Sequence, residues 1–223
     1  MRLPKILAVI SEKGGAGKTT VCVSLAVAAE AHGLATVIFD LDPRANSTVW
    51  GDARESKIPA VVPAQAPRVP ILLQQAQQND ADLVIFDTPG NAPHLAAEAA
   101  KHADAILIPC QPYGPDLASI PTSVQIAQAS GKPFFVVITA APAQGVETAE
   151  AISAIEGQGV HVSPVVIHRR KAFVSRFHEG LSALDIEPKG KAAAEMREFF
   201  LWVCEKVILL PSEQVTELTA KQA

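Results

Sequence analysis

Short, continuous runs of apolar residues recur along this chain and are separated by longer stretches of mixed polarity. Six such runs occupy residues 5–10, 35–40, 82–87, 104–109, 133–139 and 162–167. Strands that helices cover on both faces have this pattern, whereas strands with one face in solvent alternate apolar and polar residues. We therefore predict six strands in a mainly parallel sheet.

The stretches between these runs have the spacing of amphipathic helices. In residues 18–33, Val21, Leu25 and Ala28 fall on one helix face. Residues 191–210 predict a long final helix that packs an apolar stripe on the rest of the domain. Strands and helices that alternate in this way form a three-layer α/β fold, with right-handed crossovers and helices on both faces of the sheet.

Two segments fall outside this pattern. Residues 58–70 contain too many prolines for a helix or an inner strand, and we expect a surface connection there. Residues 212–223 are polar, and we expect them to form a frayed tail. The remaining residues, 1–211, are expected to form a single domain.

Composition narrows the possible classes of protein. The chain has 223 residues, of which 48% are apolar and 19% are charged, so a sizeable core is available. No uninterrupted apolar run approaches the ~20 residues of a membrane-spanning helix, and we expect a soluble, cytoplasmic protein. Cys22, Cys110 and Cys204 are too far apart for a CxxC site or a disulfide framework, and we expect buried thiols. The formal net charge of −4 means that any nucleic-acid surface must be local.

A glycine-rich segment, "SEKGGAGKTT" at residues 11–20, connects the first predicted strand to the first predicted helix. In this context, Lys18 and Thr19 in the spacing GxxxxGK[ST] predict a phosphate-binding P-loop. The glycines would let backbone N–H groups face the phosphates, Lys18 would reach the β- and γ-phosphates, and Thr19 would hold Mg²⁺. The pattern has one departure, because Glu12 stands where the template has glycine and Lys13 follows it.

Three aspartates lie at the ends of apolar runs, at the edge where α/β sheets bind their ligands. Asp40 and Asp42 occur in "FDLDPRANST", and Asp87 occurs in "VIFDTPG". An aspartate that closes a strand beside a P-loop suits a Walker B role, in which the carboxylate binds Mg²⁺ directly or through its water shell. The alternative is that each aspartate caps the turn that follows it.

Taken together, these motifs resemble the deviant Walker A family of ParA and MinD ATPases, whose motif is KGGxGK[ST]. Residues 13–19 match that motif throughout, "DLDPRANST" resembles the family's DxDPQxN segment, and "DLVIFDTPG" resembles its Walker B strand. Residues 108–120 and 168–199 resemble later segments of the partition branch, so the resemblance covers nearly the whole chain. It is closest to the short partition ATPases, which have no extra DNA-binding domain before the P-loop. Arg44 and Gly90 depart from the pattern, which usually has glutamine and proline there.

The resemblance implies roles for the site residues. Lys13 would cross a dimer interface to the phosphates of the partner's ATP, which would make dimerisation depend on nucleotide. Asp42 would orient or activate the attacking water, so the implied catalytic residues are Lys13, Lys18 and Asp42. The implied cofactors are ATP and Mg²⁺, with Thr19, Asp40 and Asp87 at the metal. The implied nucleotide-binding residues are Lys13, Gly14, Gly15, Ala16, Gly17, Lys18, Thr19 and Thr20.

The densest cationic stretch is "HRRKAFVSRFH" at residues 168–178, which contains no acid. It is either a solvated helix start or a surface for DNA phosphates, and the resemblance favours nonspecific DNA binding through Arg169, Arg170, Lys171 and Arg176. If all four cations engage phosphates, log affinity should fall against log salt with a slope of roughly −3.6 per subunit.

We therefore expect a ParA-like ATPase for DNA partition or cargo positioning. It would form a Mg-ATP-dependent sandwich homodimer on the nucleoid and leave when a ParB-like or adaptor protein stimulates hydrolysis. One alternative is a MinD-like ATPase, which needs a basic amphipathic helix at its C-terminus to bind a membrane. The tail has Glu213 and Glu217 against Lys221, so we expect no membrane partner. Another alternative is a metabolic P-loop ligase, which would need a pocket for a small substrate.

Overall fold

A six-stranded parallel sheet forms the centre of the molecule. The computed structural model describes residues 3–208. The strands are β1 (Lys5–Val9), β2 (Thr36–Asp40), β3 (Ala60–Pro63), β4 (Leu83–Asp87), β5 (Ala105–Cys110) and β6 (Phe134–Ile138). Their order is β3-β2-β4-β1-β5-β6, and all the pairings are parallel. The predicted three-layer α/β P-loop NTPase fold is confirmed.

Helices cover both faces of this sheet. The α-helices are α1 (Lys18–Ala31), α2 (Asn46–Ala53), α3 (Val69–Gln78), α4 (Pro93–His102), α5 (Gly114–Leu117), α6 (Ile120–Ser130), α7 (Glu147–Glu156), α8 (Ala183–Ile186) and α9 (Lys191–Val203). Short 3₁₀ turns span Ala66–Arg68, Lys171–Phe173 and Phe177–Glu179, and a π-helical turn spans Cys204–Ile208. The helix predicted over residues 191–210 is therefore confirmed as α9, and its last residues lie outside the described part of the chain.

The sheet separates two hydrophobic cores because successive strand side chains point to opposite faces. On one face, Leu7 and Val9 of β1 pack with residues of α1 and α9. On the other face, Ala8 of β1 packs with residues of α3, α4, α6 and α7. α1 is buried around most of its circumference, which explains why its sequence is apolar beyond the single face that its periodicity predicted. The three cysteines are buried and free, as expected.

Two sequence predictions differ from the structure. Residues 162–167 run beside β6 but do not form the predicted sixth strand. An isolated bridge joins Val162 to Val136 and Ile167 N donates to Ile138 O at 2.9 Å, but Pro164 between them has no N–H to donate. Residues 58–70 were expected to be a surface connection, yet they contain β3. Pro63 closes β3, which lies at the edge of the sheet, the place where strand prolines are tolerated. The tail predicted over residues 212–223 lies outside the described residues.

The order of the strands places a crevice above β1. From β1 the chain moves to one side to form β2, β3 and β4, and it then crosses to β5 and β6 on the other side. Open α/β sheets bind ligands beyond the carboxyl ends of their strands at such a switch point. The glycine-rich segment leaves β1 at this edge, and Asp40 and Asp87 end the neighbouring strands there.

Candidate functional site

The glycine-rich segment forms a loop between β1 and the first turn of α1. Gly15 and Gly17 have φ angles of 84° and 93°, a left-handed backbone that only glycine adopts without strain. Lys18 folds back over the loop, and its Nζ donates to the carbonyl oxygens of Ser11 at 3.1 Å and Lys13 at 2.9 Å. Burial lowers the pKa of Lys18, although Asp87 and Asp42 act in the opposite direction. The loop thus holds a buried cation where phosphates are expected to bind.

Residues from distant strands hold this loop in place. Thr139 Oγ1, beyond β6, donates to Ala16 O at 2.7 Å, and Gln111 Nε2, beyond β5, donates to Gly15 O at 2.7 Å. The chain after β4 closes on the other side, where a Cβ at Gly90 would come within 2.8 Å of Gly14 N. Gly90, one of the two departures from the family pattern, is therefore required by the close approach of two backbones.

Asp87 lies beneath the loop with its carboxylate fully buried. The strand register sets Asp87 directly between Val9 of β1 and Asp40 of β2. Ser47 Oγ donates to Asp87 Oδ2 at 2.6 Å, while Oδ1 is buried and has no hydrogen-bond partner within residues 3–208. Burial raises the pKa of Asp87 to about 6, and the hydroxyls of Ser47 and Thr19 offset only part of that effect.

Asp40 and Asp42 are held differently from Asp87. Both oxygens of Asp40 accept hydrogen bonds: Oδ1 accepts from Asp42 N at 3.0 Å, and Oδ2 accepts from the N and Oγ1 of Thr48, each at 2.8 Å. Asp40 therefore fixes the start of α2, which is the capping alternative raised by the sequence. Asp42 is half-buried at the wall of the cleft, and one of its oxygens accepts from Arg44 N at 2.9 Å.

The arrangement fits a Mg²⁺ ion that is bound together with phosphates. The unpartnered Oδ1 of Asp87 lies in a buried position beneath the loop, and the Thr19 side chain interacts with the same carboxylate. No three carboxylate, imidazole or thiol groups converge in the described part of the chain. Such a donor-poor site suits Mg²⁺, which takes one or two protein oxygens and completes its shell with phosphate oxygens and water.

Two joined cavities divide this edge of the sheet into a polar part and an apolar part. The first, of about 260 Å³, is lined by Gly14, Gly15, Gly17, Lys18, Thr19, Thr20, Asp42, Arg44 and Asn46, with the loop after β4. The second, of about 360 Å³, shares Gly15, Gly17 and Thr20 with the first and continues to Thr139, Ile167, Phe173 and Met196. The polar cavity, which contains Lys18, is our candidate site for a triphosphate, and the apolar cavity is our candidate site for a base.

Lys13, the extra lysine of the loop, does not turn into the phosphate cavity. Its Nζ forms an ion pair with Asp116 Oδ2 of α5, and the lysine side chain is 36% exposed. The two lysines are therefore separated, since Lys18 is buried inside the loop and Lys13 lies at its rim. The side chain of Ala16, which was also predicted to bind nucleotide, is buried within the loop.

The basic segment is only partly available to an external anion. Arg170 is tied to Glu195 of α9, which also accepts from His168 Nδ1 at 2.9 Å, and Arg176 pairs with Glu179. Arg169 and Lys171 are exposed, and neither forms an ion pair with any described residue. Arg169 and Arg170 also line the apolar cavity, so the basic segment borders the proposed base site.

Several residues of the site carry no recognisable motif of their own. Ser47 and Thr48 donate to the two strand-end aspartates, Gln111 and Thr139 hold the loop, and Asp116 binds its first lysine. A signal was present for Ser47 and Thr48, because both belong to the "DLDPRANST" segment, although they lie in the first turn of α2 and its N-cap is Ala45. The other three lie more than 90 positions from their partners, and only the fold brings them close.

In the described residues no helix is both long enough and apolar enough to cross a bilayer.

Comparison with known proteins supports this description of the site. The chain is 29% identical over 207 residues to maintenance of carboxysome distribution protein A from Gloeobacter kilaueensis, covering 92% of this chain and 94% of that protein.

The fold is also similar to those of solved structures. The ATP complex of a point variant of Cyanothece McdA superposes with a TM-score of 0.74 at 17% identity, covering 95% of this chain and 99% of that one. The Mg-ADP complex of Pyrococcus horikoshii MinD gives 0.75 at 17% identity, covering 92% and 98%. Both of these neighbours were solved with a bound nucleotide. The family model for the CobQ/CobB/MinD/ParA nucleotide binding domain matches residues 7–183, and the chain therefore belongs to that family of nucleotide-binding domains.

Proposed function

We propose that this protein is a ParA-like ATPase that dimerises on Mg-ATP, binds DNA nonspecifically and is released when a partner protein stimulates hydrolysis. The observation that carries the proposal is the separation of the two lysines of the loop. Lys18 is buried and aimed within its own loop, whereas Lys13 is partly exposed at the rim of the cleft. A rim cation can reach a phosphate that belongs to a second subunit, so nucleotide binding and pairing become one event.

Hydrolysis would use the groups that border the polar cavity. Water attacks the γ-phosphorus, the bond from phosphorus to the β–γ bridging oxygen breaks, and ADP and phosphate result. Asp42 orients the water, and Lys18 neutralises charge on the β- and γ-phosphates. Thr19 and Asp87 would hold Mg²⁺, which stabilises the developing negative charge when bound. Asp40 would affect the metal indirectly, by fixing the start of α2, because both of its carboxylate oxygens already accept hydrogen bonds.

DNA binding would use the cations of the basic segment that have no acidic partner among residues 3–208. Arg169 and Lys171 are the strongest candidates, and dimerisation would double their number on one assembly. Arg169 lines the apolar cavity proposed for the base, which would give nucleotide a direct route to this surface. By analogy with the carboxysome distribution proteins, the cargo would be a large intracellular body positioned on the nucleoid, with a ParB-like or adaptor protein as the stimulating partner.

The proposal is tested by measuring mass and DNA retention in the same samples. Light scattering and DNA retention are recorded with Mg-ATPγS, Mg-ADP and no nucleotide, for the wild type and Lys13→Ala. We expect dimers and DNA retention only with Mg-ATPγS, and neither in the variant. Lys101→Ala, an exposed lysine of α4, is the control and should behave as wild type. Steady ATP hydrolysis by a monomer, unchanged in Lys13→Ala, would instead favour a metabolic ligase.

A further inference from the structure

Asp116 is the residue that holds Lys13 in the single subunit. It lies in the short helix α5, and its side chain is 5% exposed. Its N–H donates to Tyr113 O at 2.9 Å and its carbonyl accepts from Ser119 Oγ at 2.7 Å, so the backbone on both sides is fixed. Lys13, on a long side chain that is 36% exposed, is therefore the movable member of the pair.

The carboxylate of Asp116 depends on Lys13 for charge compensation. Oδ2 receives the Lys13 ammonium, while Oδ1 is buried and has no hydrogen-bond partner among residues 3–208. If Lys13 leaves, the charge of this carboxylate is uncompensated, which is unfavourable at a side chain that is 5% exposed. The pair therefore favours Lys13 at Asp116 until another anion competes for its ammonium group.

From this geometry we infer that Asp116 is a positioning residue, which retains Lys13 in the monomer and competes with the triphosphate of a second subunit for the same ammonium. The inference rests on the proposed function, in which Lys13 acts across a dimer interface. A triphosphate carries several negative charges and would bind the Lys13 ammonium more strongly than Asp116 does. A diphosphate carries less charge and would compete less well for the same ammonium. Asp116 would thus raise the threshold for pairing and sharpen the difference between ATP and ADP states.

The size of the effect follows from the number of contacts broken. A partly exposed ion pair is worth about threefold in an equilibrium constant, and both subunits must release their lysine. Asp116→Asn should therefore tighten the dimer dissociation constant roughly tenfold with saturating Mg-ATPγS. The affinity of the monomer for nucleotide should not change, because Asp116 does not line the phosphate cavity.

The experiment is analytical ultracentrifugation of the full chain over a protein concentration series, with Mg-ATPγS or Mg-ADP. Asp116→Asn is compared with the wild type, with Asp116→Glu, which keeps the carboxylate and should pair within about twofold of wild type, and with Asp80→Asn, an exposed control. Lys13→Ala should not pair, so Asp116→Asn in that background should leave the protein monomeric. Dimers of this double variant would show that Asp116 acts on pairing without Lys13 and would contradict the inference.

The possible failures are distinguishable. If wild-type protein stays monomeric with Mg-ATPγS, the proposed function fails. If the wild type pairs but Asp116→Asn pairs equally or more weakly, the inference alone fails. If Asp116→Asn does not fold, as judged by its thermal unfolding, wild-type protein is labelled with acetic anhydride. Lys13 should then react more slowly than the unpaired Lys171 without nucleotide, and equal rates would overturn the inference.

Discussion

Replacing Asp87 by asparagine should stabilise the protein in the absence of Mg²⁺ while abolishing metal-dependent turnover. The carboxylate is buried and its pKa is raised from 3.8 to about 6, mainly by desolvation. The fold therefore disfavours the charged form by about 2 pKa units, which corresponds to about 3 kcal/mol. Asparagine keeps an oxygen for the Ser47 hydroxyl and carries no charge, so it relieves this penalty.

The pH dependence follows from the sign of the shift. Because the folded-state pKa lies above the unfolded one, the contribution of Asp87 to stability is fully present below pH 3.8 and is lost as the pH rises through about 6. The advantage of Asp87→Asn should thus be about 2 to 3 kcal/mol at pH 8, fall to roughly half at pH 5, and disappear at lower pH.

Urea unfolding in EDTA at pH 5, 6, 7 and 8 measures this difference directly. Asp80→Asn, at an exposed turn with a left-handed backbone that asparagine tolerates, is the matched control and should show no such trend. A variant that is no more stable than wild type at pH 8, or an advantage that grows towards pH 5, would refute the electrostatic account. Wild-type ATPase activity should also fall below about pH 6, as protonation removes the metal ligand.

Three further predictions concern other parts of the molecule. Arg54→Ala should lower the free energy of unfolding by about 3 kcal/mol, because Arg54 is 8% exposed and bonds both oxygens of Asp185 at 3.0 Å; urea denaturation measures the loss. Gly90→Ala should weaken ATP binding about tenfold, as the new Cβ displaces the phosphate loop and costs about one hydrogen bond; calorimetry with Mg-ATPγS measures it. If only Arg169 and Lys171 bind DNA phosphates, the salt slope should be about −1.8 per subunit, and DNA retention at several salt concentrations measures that slope.

Each of these predictions has a control and a result that would contradict it. Arg68→Ala, at an exposed arginine without an acidic partner in the described chain, should change stability by less than about 0.5 kcal/mol. A loss below about 1 kcal/mol for Arg54→Ala would contradict the buried ion pair. Gly114→Ala has free space for a Cβ and should bind ATP as wild type, so equal affinities in both glycine variants would contradict the close approach at Gly90. A slope near −3.6 would mean that the paired Arg170 and Arg176 also release their acids to bind DNA.

The sequence by itself determined the sheet and the phosphate loop. Five of the six predicted strands are present, because a strand buried on both faces must be apolar throughout, and that pattern is visible without a structure. The phosphate loop could also be predicted from the sequence, because the positions of its glycines, lysine and threonine follow from local backbone geometry. The prediction of a strand at residues 162–167 was wrong because apolar content does not report whether the hydrogen bonds to β6 can continue past Pro164.

Only the tertiary structure decided what each charged group does. Asp40 and Asp87 look alike in sequence, yet one has both oxygens engaged by the backbone and side chains of nearby residues and the other has a buried oxygen left open. Lys13 meets Asp116 across 103 positions of sequence. The physical reason is that hydrophobic periodicity is a local property of the chain, whereas burial and ion pairing depend on which distant segments the fold brings together.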